Sequence, residues 1–222
     1  MKKLVKGIVA FRETHLADYR EKYARLVKGQ NPDVLFIACC DSRVVPNTFA
    51  SSDPGDLFVH RNIGNIVPPL KATHTNGDTS CSATIEFAVN VLKVKHVIVC
   101  GHSECGAMQF FTRKENPTPA LPQVSQWLHY AHPSYERYLK AEHHAGFEHL
   151  SDHNKLSQIN VLQQLDHLMT YPDVAAGVQA GTLALHAWWF DLETADVCQY
   201  EASADAFLVI DEGHAARMLE GE

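Results

Sequence analysis

The chain has 222 residues, 45% of them hydrophobic, and its 19 Lys and Arg against 26 Asp and Glu give a formal charge of −7 with histidines neutral. That length and composition suit one globular domain spanning residues 1–222 and exclude a disordered chain. An acidic balance without any run of Lys or Arg argues against nucleic acid or an anionic membrane as partner, which leaves a small-molecule substrate.

Leu4 to Leu26 place Leu4, Val5, Ile8, Val9, Leu16, Tyr19, Tyr23 and Leu26 three to four apart, an amphipathic helix in one or two pieces that can cover its own domain or a partner subunit. Gly29 and Pro32 close it. Val34-Leu35-Phe36-Ile37-Ala38 then has the length and β-branched, apolar character of a buried strand in a parallel sheet. Pro46 suits a first helical turn, and Leu57 to Arg61 reads as a second strand after a turn cluster. Asn62 to Pro69 is interrupted by Gly64 and two prolines and is a candidate pocket wall. Lys71 to Ser80 is a surface loop, Ser82 to Leu92 a helix, and His96 to Gly101 a second buried strand. Gly106 to Phe111 starts a helix. Pro117, Pro119 and Pro122 mark a connection into a helix from Gln123 to Glu142. The histidine-rich stretch with His143, His144, His149 and His153 reads as solvated side chains rather than a metal site. Asn154 to Met169 and Tyr171 to Ala180 are helical. Leu183 to Phe190 is a late strand, with His186, Trp188 and Trp189 in the core, and Ala206 to Ile210 an edge strand or helix.

The expected fold is therefore α/β: a mostly parallel central sheet, about four parallel strands plus an edge strand, flanked by helices. Six cysteines, most of them in or beside apolar segments, fit free thiols in a reducing cytoplasm better than a secreted disulfide framework. Met1-Lys2-Lys3 opens like a signal segment, but Lys6, Arg12 and Glu13 break the apolar run that would follow. No stretch is long enough to span a bilayer.

The chemistry gathers where the two buried strands end. One runs into Cys39-Cys40-Asp41-Ser42-Arg43 and the other into His102-Ser103-Glu104-Cys105. In open α/β sheets, ligands bind beyond the carboxyl ends of strands, so Cys39, His102 and Cys105 would share one crevice. Two thiolates and an imidazole, with a fourth position free, are the donor set of a catalytic zinc. Asp41 can accept a hydrogen bond from a zinc-bound hydroxide, and Arg43 can hold that carboxylate in a bidentate pair, away from the metal. Cys40, on the opposite side of its strand, is expected in the core.

These stretches, with Gly55-Asp56-Leu57-Phe58-Val59-x-Arg61-Asn62-Ile63-x-Asn65, Glu86-Phe87-Ala88-Val89 and Gly101-His102-Ser103-x-Cys105-Gly106, resemble the β-class carbonic anhydrases in order and spacing, over residues 5 to 190. The resemblance implies a carbonate dehydratase that hydrates carbon dioxide to bicarbonate and a proton. It implies one Zn2+ per subunit on Cys39, His102 and Cys105, with Asp41 and Arg43 as the catalytic dyad. It implies a homodimer or homotetramer whose crevice is lined by both subunits, with the N-terminal helices packing on a partner. Gln30 and Phe58 match substrate-pocket residues of the plant-like, open members, and Ile63 is expected near carbon dioxide. Phe87 stands where many of those members have a tyrosine. Phe36, Ala38 and Phe190 replace the Trp, Gly and Tyr of the bicarbonate-inhibited members, which favours the open type. His60 and His74 are proton-shuttle candidates by chemistry alone. The same scaffold could instead hydrolyse another small molecule such as carbon disulfide, or serve as a silent bicarbonate-binding or assembly protein; Asp41 and Arg43 together argue against the silent role.

Overall fold

The computed structural model describes residues 1–72, 79–113, 120–140 and 147–220. Its centre is a six-stranded sheet of β1 (Val34–Cys39), β2 (Leu57–Asn62), β3 (His96–His102), β4 (Ala184–Phe190), β5 (Val197–Glu201) and β6 (Ala206–Val209), in the order β2-β1-β3-β4-β5-β6. The first four strands in that order run parallel; β5 and β6 follow as antiparallel hairpins. The chain leaves β1 for β2 on one side and then crosses to β3 on the other. The order reverses between β1 and β3, and the crevice at such a switch point is where an α/β sheet offers a ligand site.

Continuous apolar runs make the inner strands because both faces of the sheet are covered, one by helices and the other by the segment from Val44 to Phe49 and the end of the sheet. Leu35, Ile37, Val97 and Val99 point to one face, with Ile85, Val161 and Leu162; Phe36, Ala38, Ile98 and Cys100 point to the other, against Val44 and Phe190. The helices are α1 (Lys2–Thr14), α2 (Leu16–Leu26), α3 (Pro46–Phe49), α4 (Ser80–Glu86), α5 (Gly106–Thr112), α6 (Pro122–Leu128), α7 (His132–Lys140), α8 (Asp152–Leu168), α9 (Pro172–Gln179) and α10 (Glu212–Glu220). Most central is α8, which buries Leu156, Ile159 and Leu168 on its apolar side. Gly101 lets β3 come close to it, since a Cβ there would stand 2.6 Å from a Val161 methyl. By contrast α1 and α2 bury no residue, and Leu4, Val5, Ile8 and Val9 of α1 are exposed.

Several elements differ from expectation for local reasons. The N-terminal helix is two pieces, broken at His15. The helix over 82–92 starts at Ser80, and its second half, Phe87–Leu92, widens into a π-helix that ends on left-handed Lys93. The long helix from Gln123 is divided into α6, a 3-10 turn at His129–Ala131, and α7. Pro133 lacks the N–H that would continue the earlier turn, so the helix restarts there. Ala206–Val209 is a strand, paired with β5, which has only five residues and no apolar run to announce it. The 73–78 part of the surface loop, with His74, and residues 114–119 and 141–146, with Pro117, Pro119, His143 and His144, lie outside the described residues.

Candidate metal centre

β1 and β3 are neighbours in register, Ala38 opposite Cys100, so their last residues deliver Cys39 and His102 side by side. Cys105 follows three residues later as the residue that caps α5, and its carbonyl accepts the Met108 and Gln109 N–H groups. The ligand atoms of Cys39, His102 and Cys105 all lie within 4.8 Å of one another, the only such group of three or more among the described residues. All three side chains are buried, at 5%, 0% and 0% exposure.

His102 Nδ1 lies 2.7 Å from the Ser103 carbonyl. A carbonyl can only accept, so Nδ1 carries the proton and Nε2 presents a lone pair. That Nε2 is buried with no hydrogen-bond partner. Orphaned buried acceptors are rare in a folded protein, and this one shares a pocket with two thiols. The Cys105 thiol and the Gly64 N–H hold the Cys39 pKa down, while proximity to Cys39 and burial push Cys105 well up. A buried imidazole lone pair beside two buried thiols is a donor set that fits zinc, whose binding displaces the thiol protons.

Asp41 and Arg43 flank the group. Arg43 Nε donates to Asp41 Oδ1 at 2.9 Å, Nη2 to Oδ2 at 2.7 Å, and the Arg43 backbone N–H to Oδ1 at 3.0 Å. These contacts, the side-chain pair foremost, hold the Asp41 carboxyl far below the usual carboxylate range. The same Nη2 also donates to the Glu104 carbonyl at 3.1 Å, so one guanidinium ties the two motifs together.

Backbone clamps complete the surroundings. Arg61 donates to the carbonyls of Cys39 (2.9 Å) and Asp41 (2.7 Å). Asn62 accepts the Ile66 N–H and donates to the Ile66 carbonyl, both at 2.8 Å, which folds Ile63 to Asn65 into a tight turn. Gly64, at φ +79, points its N–H at Cys39 Sγ, 3.4 Å away; a Cβ there would meet the Ala107 Cβ at 2.9 Å. Trp127 Nε1 donates to the Ile63 carbonyl at 2.7 Å. Ser103 Oγ donates to Asp191 Oδ1 at 3.1 Å and accepts the Leu192 N–H at 2.8 Å. Sequence reasoning singled out Ile63 and the Arg61-Asn62 segment but missed a polar stripe on α8: Asn154, Ser157, Asn160 and Gln164, spaced three to four apart between the apolar positions. Asn154 Oδ1 accepts the Glu104 N–H at 2.7 Å, Ser157 Oγ donates to the His102 carbonyl at 2.8 Å, Asn160 Nδ2 to the Gly64 carbonyl at 3.1 Å, and Gln164 Oε1 accepts the Val67 N–H at 2.9 Å. Its signal was present, as polar residues interleaved with an apolar helical stripe.

Other expected residues stand elsewhere. Phe58 and Phe87 stack on each other, centroids 5.8 Å apart, and Phe58 is opposite Leu35, near the start of β1 rather than its Cys39 end. Gln30 precedes β1, again at the end away from Cys39. Within one protomer the structure does not bring these three to the ligand group. Cys40 is exposed, contrary to the core position expected of it, because β1 ends at Cys39 and the chain turns there. It lines a cavity of about 290 Å³ with His60, Ile63 and Trp127. His153 is not simply solvated: its Nε2 donates to Glu104 Oε1 at 2.9 Å.

Residues 34–197 match the family model for carbonic anhydrase. The chain is 37% identical over 212 residues to a carbonic anhydrase of Synechococcus elongatus, covering 96% of this chain and 76% of that protein. With a carbonic anhydrase of Pseudomonas aeruginosa it shares 36% identity over 225 residues, 100% of this chain and 97% of that one. Among solved structures it resembles the β-carbonic anhydrase CcaA, with TM-score 0.85 and 35% identity over 94% of this chain and 98% of that one. It also resembles a structure described among two tetrameric β-carbonic anhydrases of Sordaria macrospora, with TM-score 0.74 and 28% identity over 89% and 95%. A fold, a buried donor set for zinc and near full-length relatives thus agree, and the chain belongs to the β-carbonic anhydrases, zinc enzymes that interconvert carbon dioxide and bicarbonate.

Proposed function

We propose that Cys39, His102 and Cys105 hold the zinc of this carbonic anhydrase, one per subunit, and that Asp41 and Arg43 orient the reacting water beside it, within a single domain of residues 1–222. The observation that carries this reading is the buried, unpartnered His102 Nε2 set within 4.8 Å of the Cys39 and Cys105 sulfurs. When bound there, zinc makes a water more acidic and so supplies a nucleophile for carbon dioxide, less strongly than with three neutral imidazoles because two thiolates cancel the dication's charge.

The chain's own residues do the rest. Asp41 stays ionised beside Arg43, so its carboxylate accepts a hydrogen bond from the reacting water and aims that water's lone pair at the substrate carbon. Arg43 offsets the charge of that carboxylate and holds both its oxygens, which keeps it from turning onto the ligand group as a further donor. Carbon dioxide has no net dipole and is retained by apolar contact; Ile63, its carbonyl fixed by Trp127, offers that wall. Carbon dioxide and water leave as bicarbonate and a proton, and the proton passes to solvent or buffer.

The same reading makes the enzyme a homodimer or homotetramer. The uncovered apolar stripe of Leu4, Val5, Ile8 and Val9 supports packing of the N-terminal helices on a partner subunit. Gln30, Phe58 and Phe87, at the far end of β1 and β2 in their own protomer, would then line a partner's crevice. The six cysteines are all free and no helix among the described residues is long and apolar enough to cross a membrane, which supports a cytoplasmic enzyme.

Stopped-flow carbon dioxide hydration across pH, with zinc stoichiometry on the same sample, tests the assignment. Rapid hydration that rises smoothly toward alkaline pH, at one zinc per subunit, is expected. Full zinc occupancy in a variant without Cys39 or His102 would overturn it.

A further inference from the structure

We propose that Asn154 is a positioning residue for the metal centre: it holds Glu104 in a left-handed conformation and, through the Glu104 peptide groups, sets the Cys105 ligand and the Arg43 guanidinium. The inference rests on the ligand and dyad roles proposed above.

Glu104 lies between His102 and Cys105 at φ +56, a region that residues other than glycine occupy only when their surroundings impose it. What imposes it is the first turn of α8. The Glu104 N–H donates to Asn154 Oδ1 at 2.7 Å, and Asn154 Nδ2 donates back to Glu104 Oε1 at 3.2 Å. The next peptide group is held from the other side, since the Glu104 carbonyl accepts Arg43 Nη2 at 3.1 Å. Rotating Glu104 to an ordinary negative φ would turn that carbonyl away from Arg43 and re-aim Cys105, the very next residue.

The placement of Asn154 is that of a brace rather than of a helix cap. An asparagine near a helix start usually satisfies the helix's own first N–H groups. Here Ser151 is the N-cap and makes no side-chain cap, and Asn154 gives both ends of its amide to Glu104. Ser157, three residues on and so on the same face of α8, donates to the His102 carbonyl at 2.8 Å and is itself fixed by Trp189 Nε1 at 3.1 Å. One helix face therefore grips the ligand-bearing loop at both of its ends.

The test compares Asn154→Ala and Asn154→Asp in the wild-type chain, and Asn154→Ala in a Glu104→Gly background, where glycine takes positive φ unaided. Zinc affinity is read by competition with a chromophoric chelator, and ligand geometry from the absorption of the cobalt(II)-substituted protein. For Asn154→Ala we expect zinc affinity to weaken about 10- to 100-fold, the usual effect of removing a group that orients a metal ligand, with a changed cobalt spectrum and near wild-type thermal unfolding. Asn154→Asp keeps the acceptor for the Glu104 N–H but sets a carboxylate oxygen against Glu104 Oε1 in place of a donor, so it should recover only part of the loss. With Glu104→Gly in place, Asn154→Ala should cost no more than about 3-fold, because the left-handed residue no longer needs the brace. Unchanged affinity and cobalt spectrum in Asn154→Ala, or an equal loss in both backgrounds, would overturn the inference. Both readouts are obtained whether or not the wild-type protein hydrates carbon dioxide, so failure of the functional reading is told apart from failure of this one.

Discussion

Arg43 holds Asp41 at both carboxylate oxygens, and the same Nη2 that closes the pair reaches the Glu104 carbonyl across the crevice. Charge, orientation and loop position thus depend on one planar group. Lysine carries the charge but not the fork. Arg43→Lys should retain zinc and lose hydration rate by roughly 10-fold or more, mostly in kcat. Wild-type kcat in that variant would show that the pair is not orienting the reaction.

Asp41→Asn keeps the shape and removes the charge. Zinc content should stay near one per subunit while kcat/KM falls by about 10²- to 10⁴-fold, the usual worth of a positioned proton acceptor. Stopped-flow hydration with metal analysis on one sample separates this from simple loss of the ion.

Cys39→Ser and His102→Ala each leave two donors. Zinc stoichiometry should fall toward zero after dialysis, and hydration with it; metal analysis of the dialysed protein decides.

Gly64 is strained for any other residue and has no room for one, because φ is +79 and a Cβ would sit 2.9 Å from the Ala107 Cβ. Gly64→Ala should cost about 1–3 kcal/mol in urea unfolding and weaken zinc binding by moving the N–H from Cys39 Sγ. Stability equal to wild type would contradict that geometry.

His167 is buried on α8 with Nδ1 2.8 Å from the Val67 carbonyl, and desolvation lowers its pKa from 6.5. The unfolded chain then takes up a proton at a higher pH than the folded one. The stability associated with neutral His167 is present above about pH 6.5 and is lost as pH falls toward the lower folded value. Urea midpoints at pH 7 and pH 5 should differ more for wild type than for His167→Gln.

Much of this was legible in the sequence because it is local. The three inner parallel strands announced themselves as apolar runs, and two of them end in a residue of the donor set, Cys39 and His102. Pro46 marked its helix start. What escaped reading depends on contacts made at long range. Asn154 and Ser157 serve the ligand loop from a helix about fifty residues away in sequence, and nothing in a polar residue's spacing says which carbonyl it will meet. The β5 strand is short and takes its form from pairing with β4 and β6. Cys40 was misplaced because alternation was extended one residue past the end of β1, where the pleat that governs it stops.

The pairing of β1 with β3 has a further meaning for how the protein comes into being. Cys39 and His102 belong to distant parts of the chain, with β2 and its connections between them, and become neighbours only when these two strands align. Parallel pairings of this kind close large loops before they return any contact energy, so they form late. No collapsed intermediate lacking that alignment can present the donor set, whatever helices it has already formed. The rate at which refolding chains begin to capture a metal would therefore time one event, the joining of the two halves of the sheet at its centre.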